Sequence, residues 1–414
     1  MRRPKTSPCV CEIELKTIDS QCNDLIDEPP YTTMKDPAIS VLLSLTVSQL
    51  KTQPWCVIPV DAEIPPAVQK RRYRQRTFDP FPPRRPNIPK VRLNNGYDMP
   101  VIGLGVWQND DKETIERALR SAVSVGYRFF DTAPIYENEE YMGNIFQQLF
   151  LEGEVKREDF FLCTKLGPNK MDPKVVSKAC QNSLKRLKSD YLDLYLIHFP
   201  IPSKDTENEF EYYPKHEEKH ELLIDPNVKL EETWKAMERL VEDGLVKSIG
   251  LSNCSKNQIE RILNVCKIKP ANLQIECHPY LPQREMIDFC KSLNIAVTAY
   301  SPLGTPGFGP YVKKKYLVDI NPPLLFNEEI VKNIAAAKGK TPAQILLRFL
   351  IQRDFLVIPK SSNPDHQKEN LEVFDFILTQ EEMEELYKLE NNYYRYFPFN
   401  MYPNMLTHPE HPFK

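Results

Sequence analysis

Arg128-Phe129-Phe130-Asp131-Thr132-Ala133 is a short apolar run that stops at a carboxylate, and Tyr136 stands three residues beyond it. The same pattern recurs twice downstream. Residues 161–165 are mostly apolar up to Lys165, and residues 192–198 are apolar, apart from Asp193, up to His198. Short runs of this kind read as buried strands, and a polar group at each C-terminal end fits a site at the mouth of a parallel barrel.

Outward from these runs the chain alternates. Strands are expected over residues 101–104, 128–131, 160–164, 192–197, 246–251, 272–275, 296–300 and 355–359. Helical patterns follow them over residues 111–125, 139–151, 173–187, 230–242, 256–266, 283–293, 328–337 with 342–352, and 364–373, with Pro173 placed as an N1 proline. Eight strand–helix units fill about 270 residues, the size and rhythm of an α/β (β/α)8 TIM barrel. A doubly wound sheet would need a glycine-rich phosphate loop after its first strand. Gly103-Leu104-Gly105 is only a fragment of that loop, so the barrel is preferred. Three segments break the rhythm: residues 199–229, residues 302–326, and the aromatic tail Tyr393-Tyr394-Arg395-Tyr396-Phe397-Pro398-Phe399. In a barrel the first two would wall the mouth, and the tail could fold over it.

Composition bounds the rest. The 414 residues are 41% hydrophobic and 27% charged, with a net charge of −3, which argues against bulk nucleic-acid or membrane-surface binding. No apolar run reaches the ~18 residues of a membrane helix. Met1-Arg2-Arg3-Pro4 is followed by no apolar core segment, so no secretory signal is expected. The ten cysteines show no C-x-x-C or paired His/Cys spacing, so neither a metal site nor a disulfide framework is indicated, and a cytoplasmic monomer is expected. Residues 1–88 carry Pro29-Pro30, Pro65-Pro66, the basic cluster Lys70-Arg71-Arg72-Tyr73-Arg74-Gln75-Arg76 and a proline run from Pro80 to Pro86. They read as a mostly disordered extension, with the barrel domain over residues 89–414.

The strand-end residues share a chemistry. A tyrosine hydroxyl is a poor acid, with a reference pKa of ~10. A neighbouring ammonium, Lys165, favours the phenolate and is expected to pull the Tyr136 pKa toward neutrality. A buried ammonium needs a counter-ion, which Asp131 could supply. His198 could orient a carbonyl oxygen. Such a set protonates an alkoxide as it forms, which suits carbonyl reduction.

With these residues in view, the chain resembles the aldo-keto reductase superfamily, in its aldose/aldehyde reductase-like branch. The likeness runs from about Val91 to the C-terminus. It includes Met99-Pro100-Val101-Ile102-Gly103-Leu104-Gly105-Val106-Trp107, Cys163-Thr164-Lys165-Leu166, Leu196-Ile197-His198-Phe199-Pro200, Gly250-Leu251-Ser252-Asn253, Gln274-Ile275-Glu276-Cys277-His278-Pro279-Tyr280, and Val357-Ile358-Pro359-Lys360-Ser361. The resemblance implies a (β/α)8 barrel that uses a nicotinamide dinucleotide without a Rossmann fold, acting on small-molecule carbonyl substrates. Asp131, Tyr136, Lys165 and His198 fall on the family's catalytic tetrad. Ser252, Asn253 and Gln274 fall on positions that bind the nicotinamide carboxamide, and Tyr300 on the ring that stacks against it. Ser301, Leu303 and Thr305 fall in the pyrophosphate strap, and Lys360, Ser361, Glu369 and Asn370 at the adenosine end. Trp107, Phe199, Phe397 and Phe399 fall near substrate-pocket positions. His366 stands where similar proteins usually carry an arginine for the adenosine 2′-phosphate, a role a neutral histidine cannot fill. NADPH is still the expected cofactor, with NADH tolerated. A nucleotide-sensing or structural barrel without turnover is the alternative, which loss of a tetrad member would favour.

Overall fold

The computed structural model describes residues 88–413 apart from Asp110, Glu217 and Val318. All but the last residue of the expected extension lies outside the described residues. The described chain opens on an antiparallel hairpin of β1 (Lys90–Arg92) and β2 (Asp98–Pro100), with Val91 opposite Met99. This hairpin was not expected from the pattern, because its strands are too short to show alternation.

Eight parallel strands follow, each bonded to the next in sequence: β3 (Leu104–Gly105), β4 (Phe129–Asp131), β5 (Phe161–Leu166), β6 (Leu194–Ile197), β7 (Ile249–Ser252), β8 (Asn272–Glu276), β9 (Ala296–Tyr300) and β10 (Phe355–Val357). Parallel bridges from Ile102 to Val357 and from Gly105 to Lys360 bring the last strand back to the first. The Gly103 N–H donates to the Val357 carbonyl at 2.9 Å across this seam. The expected barrel is therefore the observed fold.

Strand periodicity explains which side chains reach the interior. Phe129, Phe161, Cys163, Leu194, Leu196 and Leu356 pack together inside the barrel, while Phe130, Leu162, Leu166, Tyr195 and Ile197 face the helical layer. A strand alternates its faces residue by residue. Asp131 shares the parity of Phe129, and Lys165 that of Cys163, so both turn inward above an apolar floor. The hairpin plugs the opposite end. Leu93 and Met99 join the interior cluster, and Asn94 Nδ2 donates to the Pro270 carbonyl at 2.7 Å, just before β8 begins. Only the C-terminal end of the barrel is left open to loops.

The helices agree with the pattern most closely where their caps are explicit. Helix α1 (Lys112–Val125) starts at Asp111, whose carboxylate accepts from the Thr114 N–H at 2.8 Å, and stops at Gly126. Helices α2 (Glu139–Leu151) and α4 (Leu230–Glu242) begin and end where the periodicity placed them. The third helix departs from expectation. It spans Val176–Leu187, and Pro173 is not its first residue. Asp172 accepts from the Lys174 N–H at 2.9 Å, and this local turn holds the chain out of the helix for the intervening residues.

Three helices among the described residues arise where none was expected, the shortest being Pro403–Thr407 near the C-terminus. Phe308–Tyr316 lies inside the segment read as loop. Its Gly309 and Pro310 fall in the first turn, where a missing N–H costs no intrahelical bond. Gln380–Tyr387 carries a capping box, with Thr379 Oγ1 accepting from Glu382 N and Glu382 Oε2 accepting from Thr379 N. No helix among the described residues is long and apolar enough to cross a membrane.

Candidate active site

Four side chains meet at the open end. Lys165, from β5, is fully buried. Its Nζ donates to Asp131 Oδ1 at 2.6 Å and to the Thr132 carbonyl at 2.9 Å. Asp131 Oδ2 accepts from Gln274 Nε2 at 2.8 Å. Both carboxylate oxygens are thus satisfied, which is what makes a buried ion pair tolerable. Tyr136 closes a single 3-10 turn, Pro134–Tyr136, that follows β4. Its ring centroid lies 5.2 Å from Lys165 Nζ and 6.1 Å from the His198 ring, which meets it edge-on.

The electrostatics correct one expectation. Burial pushes the Tyr136 phenol above its ordinary pKa, and Lys165 opposes that rise without reversing it. Burial also disfavours the Lys165 ammonium, but the charge and hydrogen bond of Asp131 together with Tyr136 and Cys163 outweigh it, and the lysine pKa is raised. Burial, and then Lys165, hold the His198 imidazole well below its usual value, so it is neutral. The site therefore holds a protonated phenol beside a permanent ammonium and a neutral imidazole. A phenol that is protonated beforehand suits an acid. The ammonium then stabilises the phenolate as the proton leaves.

The residues expected to meet a nicotinamide cluster around the same end. Asn253, at φ +56°, donates from Nδ2 to the His198 carbonyl and to Ser252 Oγ, each at 3.0 Å. Its Oδ1 accepts from the Tyr300 hydroxyl at 2.8 Å, which fixes the edge of that ring. Ser252 keeps its O–H to donate, and Gln274 keeps its amide oxygen to accept. One donor and one acceptor are what a carboxamide requires, so this set fits the group. Beyond β9, Ser301, Gly304 and Thr305 all take positive φ, and Thr305 Oγ1 is buried with no hydrogen-bond partner among the described residues. A buried hydroxyl without a partner suits a strap that closes on a polar ligand. Leu303 packs against the main core.

At the expected adenosine end the residues are partly committed to the protein. Ser361 Oγ donates to the Asn363 carbonyl at 3.2 Å, Glu369 Oε1 accepts from Thr341 at 2.5 Å, and Asn370 is buried beside the Tyr127 hydroxyl. Lys360 is exposed, as is His366 on the first turn of the helix Pro364–Leu371.

The aromatic walls divide into two groups. Trp107 meets Phe397 edge-on at 5.3 Å and lies near Phe308 and Tyr311, at 6.1 and 5.6 Å between ring centroids. Phe397 also meets Tyr300 at 5.8 Å. Phe199 is instead fully buried, stacked at 4.4 Å on Phe399 in a separate cluster with Ile201, Leu222 and Met405. Phe308 and Tyr311 were not expected in this wall, because the composition of residues 302–326 points to a loop. The tail is locked down by a buried carboxylate, also missed: Glu276 accepts from the Tyr396 N–H at 2.6 Å, the Phe397 N–H at 3.0 Å and His278 Nε2 at 2.9 Å. Its signal was present in the sequence as an acidic residue ending a strand.

A closed parallel barrel with a Tyr–Lys–Asp–His set at its C-terminal mouth defines an oxidoreductase barrel, and the comparisons agree. Residues 101–391 match the model of the aldo/keto reductase family, and the chain belongs to that family. It is 41% identical over 329 residues to chicken (Gallus gallus) aldo-keto reductase family 1 member A1, covering 78% of this chain and 97% of that protein. It is 44% identical over 305 residues to an NADPH-dependent D-xylose reductase of Meyerozyma guilliermondii, covering 72% and 94%. The solved aldose reductase of Schistosoma japonicum superposes with a TM-score of 0.70 at 41% identity, covering 79% of this chain and 99% of that one.

Proposed function

We propose that this protein reduces aldehydes and ketones to alcohols with NADPH, with Tyr136 as the proton donor. The observation that carries the reading is the fully buried Lys165, bonded to Asp131 at 2.6 Å and 5.2 Å from the Tyr136 ring. A bound reduced nicotinamide would supply the hydride. Tyr136 gives its proton to the carbonyl oxygen as negative charge develops there. Lys165 stabilises the phenolate left behind, and Asp131 keeps the lysine charged. The neutral His198 has one N–H with which to hold the carbonyl oxygen in line. Ser252, Asn253 and Gln274 would orient the carboxamide, and Tyr300 would back the ring. The presence of all four tetrad members, linked in the order Asp131, Lys165, Tyr136, His198, weighs against a sensing barrel without turnover. Trp107, Tyr300, Phe308 and Phe397 form an aromatic wall, which favours apolar carbonyls over polyhydroxylated ones.

The test is direct. Wild-type protein mixed with NADPH and a panel of aldehydes and ketones should oxidise the cofactor and yield the matching alcohol. Folded protein that turns over none of them would sink the reading. We also propose that the protein works as a cytoplasmic monomer. In keeping with a reducing compartment, Cys163, Cys180, Cys254, Cys266, Cys277 and Cys290 are all free thiols. The most exposed apolar side chains among the described residues, Leu151, Leu317 and Ile377, lie far apart in the chain.

Two further outcomes follow from the site. His366→Arg should tighten NADPH binding by about ten- to a hundredfold and leave NADH nearly unchanged. A charge-assisted fork on the 2′-phosphate contributes ~1.5–3 kcal/mol, at ~1.4 kcal/mol per decade. Equal effects on the two cofactors in fluorescence titrations would show that position 366 does not face the phosphate. Glu276→Gln should loosen the tail, because an amide can accept only one of the two backbone N–H groups and turns a donor toward the other. KM for bulky carbonyls should rise several-fold, on the scale of one lost hydrogen bond at ~1 kcal/mol, with cofactor affinity unchanged. An unchanged KM would mean that Phe397 keeps its place without this anchor.

A further inference from the structure

His198 raises a question that the tetrad does not answer. A histidine that must present one nitrogen to a substrate usually has its ring fixed by a hydrogen bond at the other. Here Nδ1 is buried and has no hydrogen-bond partner among the described residues. The backbone is secured, since the His198 N–H donates to the Leu166 carbonyl at 3.0 Å and its own carbonyl accepts from Asn253. The plane of the imidazole is set by packing alone. On one side stands the Tyr136 ring, at 6.1 Å and 84°. Against it from the loop after β6 stands Tyr212, at 5.5 Å and 89°.

Tyr212 is held as a fixed part. Its side chain is only 2% exposed. Its carbonyl accepts from Ser203 Oγ at 2.7 Å. The segment before it is pinned to the outer helices, where Arg186 binds Glu209 at 2.5 Å and Glu139 at 2.8 Å and lies over the Phe210 ring at 5.4 Å. The barrel also makes room for it. Gly167 directly follows β5, two residues after Lys165. A Cβ there would sit 2.5 Å from Tyr212 Cε1 and 2.8 Å from Cζ, so any other residue would expel the ring. The hydroxyl is buried, and among the described residues it makes no well-formed hydrogen bond, only a weak approach to the Ile135 backbone. It is therefore chiefly the flat ring that this arrangement preserves.

We propose that Tyr212 is a positioning residue for the tetrad, its ring seated in the notch at Gly167 and holding the His198 imidazole in its reactive plane. The inference rests on carbonyl reduction by the tetrad and deepens it. The groups that face His198 are Tyr136 from the turn after β4, Lys165 from β5 and Tyr212 from the loop after β6. Removing the Tyr212 ring frees the imidazole to rotate and admits water to it. Water relieves the burial that keeps the ring neutral, so its pKa rises toward the usual value and a loss of kcat appears on the acid side.

The experiment compares wild type with Tyr212→Phe, Tyr212→Leu and Tyr212→Ala, reading kcat across pH, NADPH affinity by fluorescence, and the His198 ring by NMR. Tyr212→Phe should stay within about threefold of wild type, since the hydroxyl has only its weak approach to the Ile135 backbone to lose. Tyr212→Leu and Tyr212→Ala should lose about ten- to a hundredfold in kcat, the scale of a small misplacement of a reacting group, with NADPH affinity unchanged and a new acid limb. In the wild type, which needs no variant to fold, the His198 ring should not titrate near pH 6.5. An ordinary titration there would overturn the proposal. So would leucine and alanine variants with the wild-type kcat and pH profile, losses that only track the folded fraction, or a phenylalanine variant as impaired as alanine. An inactive wild type would instead overturn the reductase reading itself.

Discussion

Tyr136→Phe should lower kcat for carbonyl reduction by about 100- to 10,000-fold, the range that a positioned general acid contributes. The substitution removes one oxygen and keeps the ring that packs against His198 and lies 5.2 Å from Lys165 Nζ. The fold and the cofactor residues on β7, β8 and β9 are untouched, so NADPH should bind as before. That separation makes the test sharp: fluorescence titration should match wild type while turnover collapses. The electrostatics explain why no neighbour can substitute. Tyr212, the next phenol near His198, is pushed well above its ordinary value by burial and has no ammonium at hand to stabilise its anion. Lys165 is committed to Asp131 and Thr132, and its raised pKa makes it a poor proton donor. A Tyr136→Phe enzyme that keeps more than about a tenth of wild-type kcat, well outside that range, would remove Tyr136 from the role of donor.

Much of this site is legible in the amino-acid sequence. Phe129-Phe130-Asp131 and the run ending at Lys165 announce their strands because a buried parallel strand must be apolar on both faces, and its polar end then stands out. Strand parity carries the rest of the message, since it turns Asp131 and Lys165 to the same interior. What the sequence concealed depends on tertiary contact. Short hairpin strands such as Lys90–Arg92 have no period to read. The helix Phe308–Tyr316 hid behind a glycine and a proline that its first turn tolerates. The direction of the Tyr136 pKa could not be foreseen either. An ammonium nearby and burial around it act in opposite senses, and only the packing decides between them. Phe199 shows the same limit from the other side. Its place in the chain suggests a pocket wall, yet Phe399 folds down and covers it.

Lys165→Met is the second large effect, and it should appear in stability as well as rate. The ammonium is fully buried, and so is its partner at 2% exposure. Removing one member of such a pair leaves the other charge without compensation, a loss of ~3–5 kcal/mol. Gln274 still bonds one Asp131 oxygen, but the other loses its partner. Urea denaturation should show the deficit, and kcat should fall by at least as much as for Tyr136→Phe, because the phenolate loses its stabilising charge. The two roles of the lysine can then be separated. Adding Asp131→Asn to Lys165→Met removes the stranded charge, and neutral replacements for a buried pair are often no less stable than the pair. The double variant should therefore recover much of the lost stability and none of the lost turnover. If activity returned together with stability, the pair would be a structural device, and the chemistry at Tyr136 would not depend on its charge. If stability did not return, the cost would lie in lost packing around the lysine stem and not in the unpaired carboxylate.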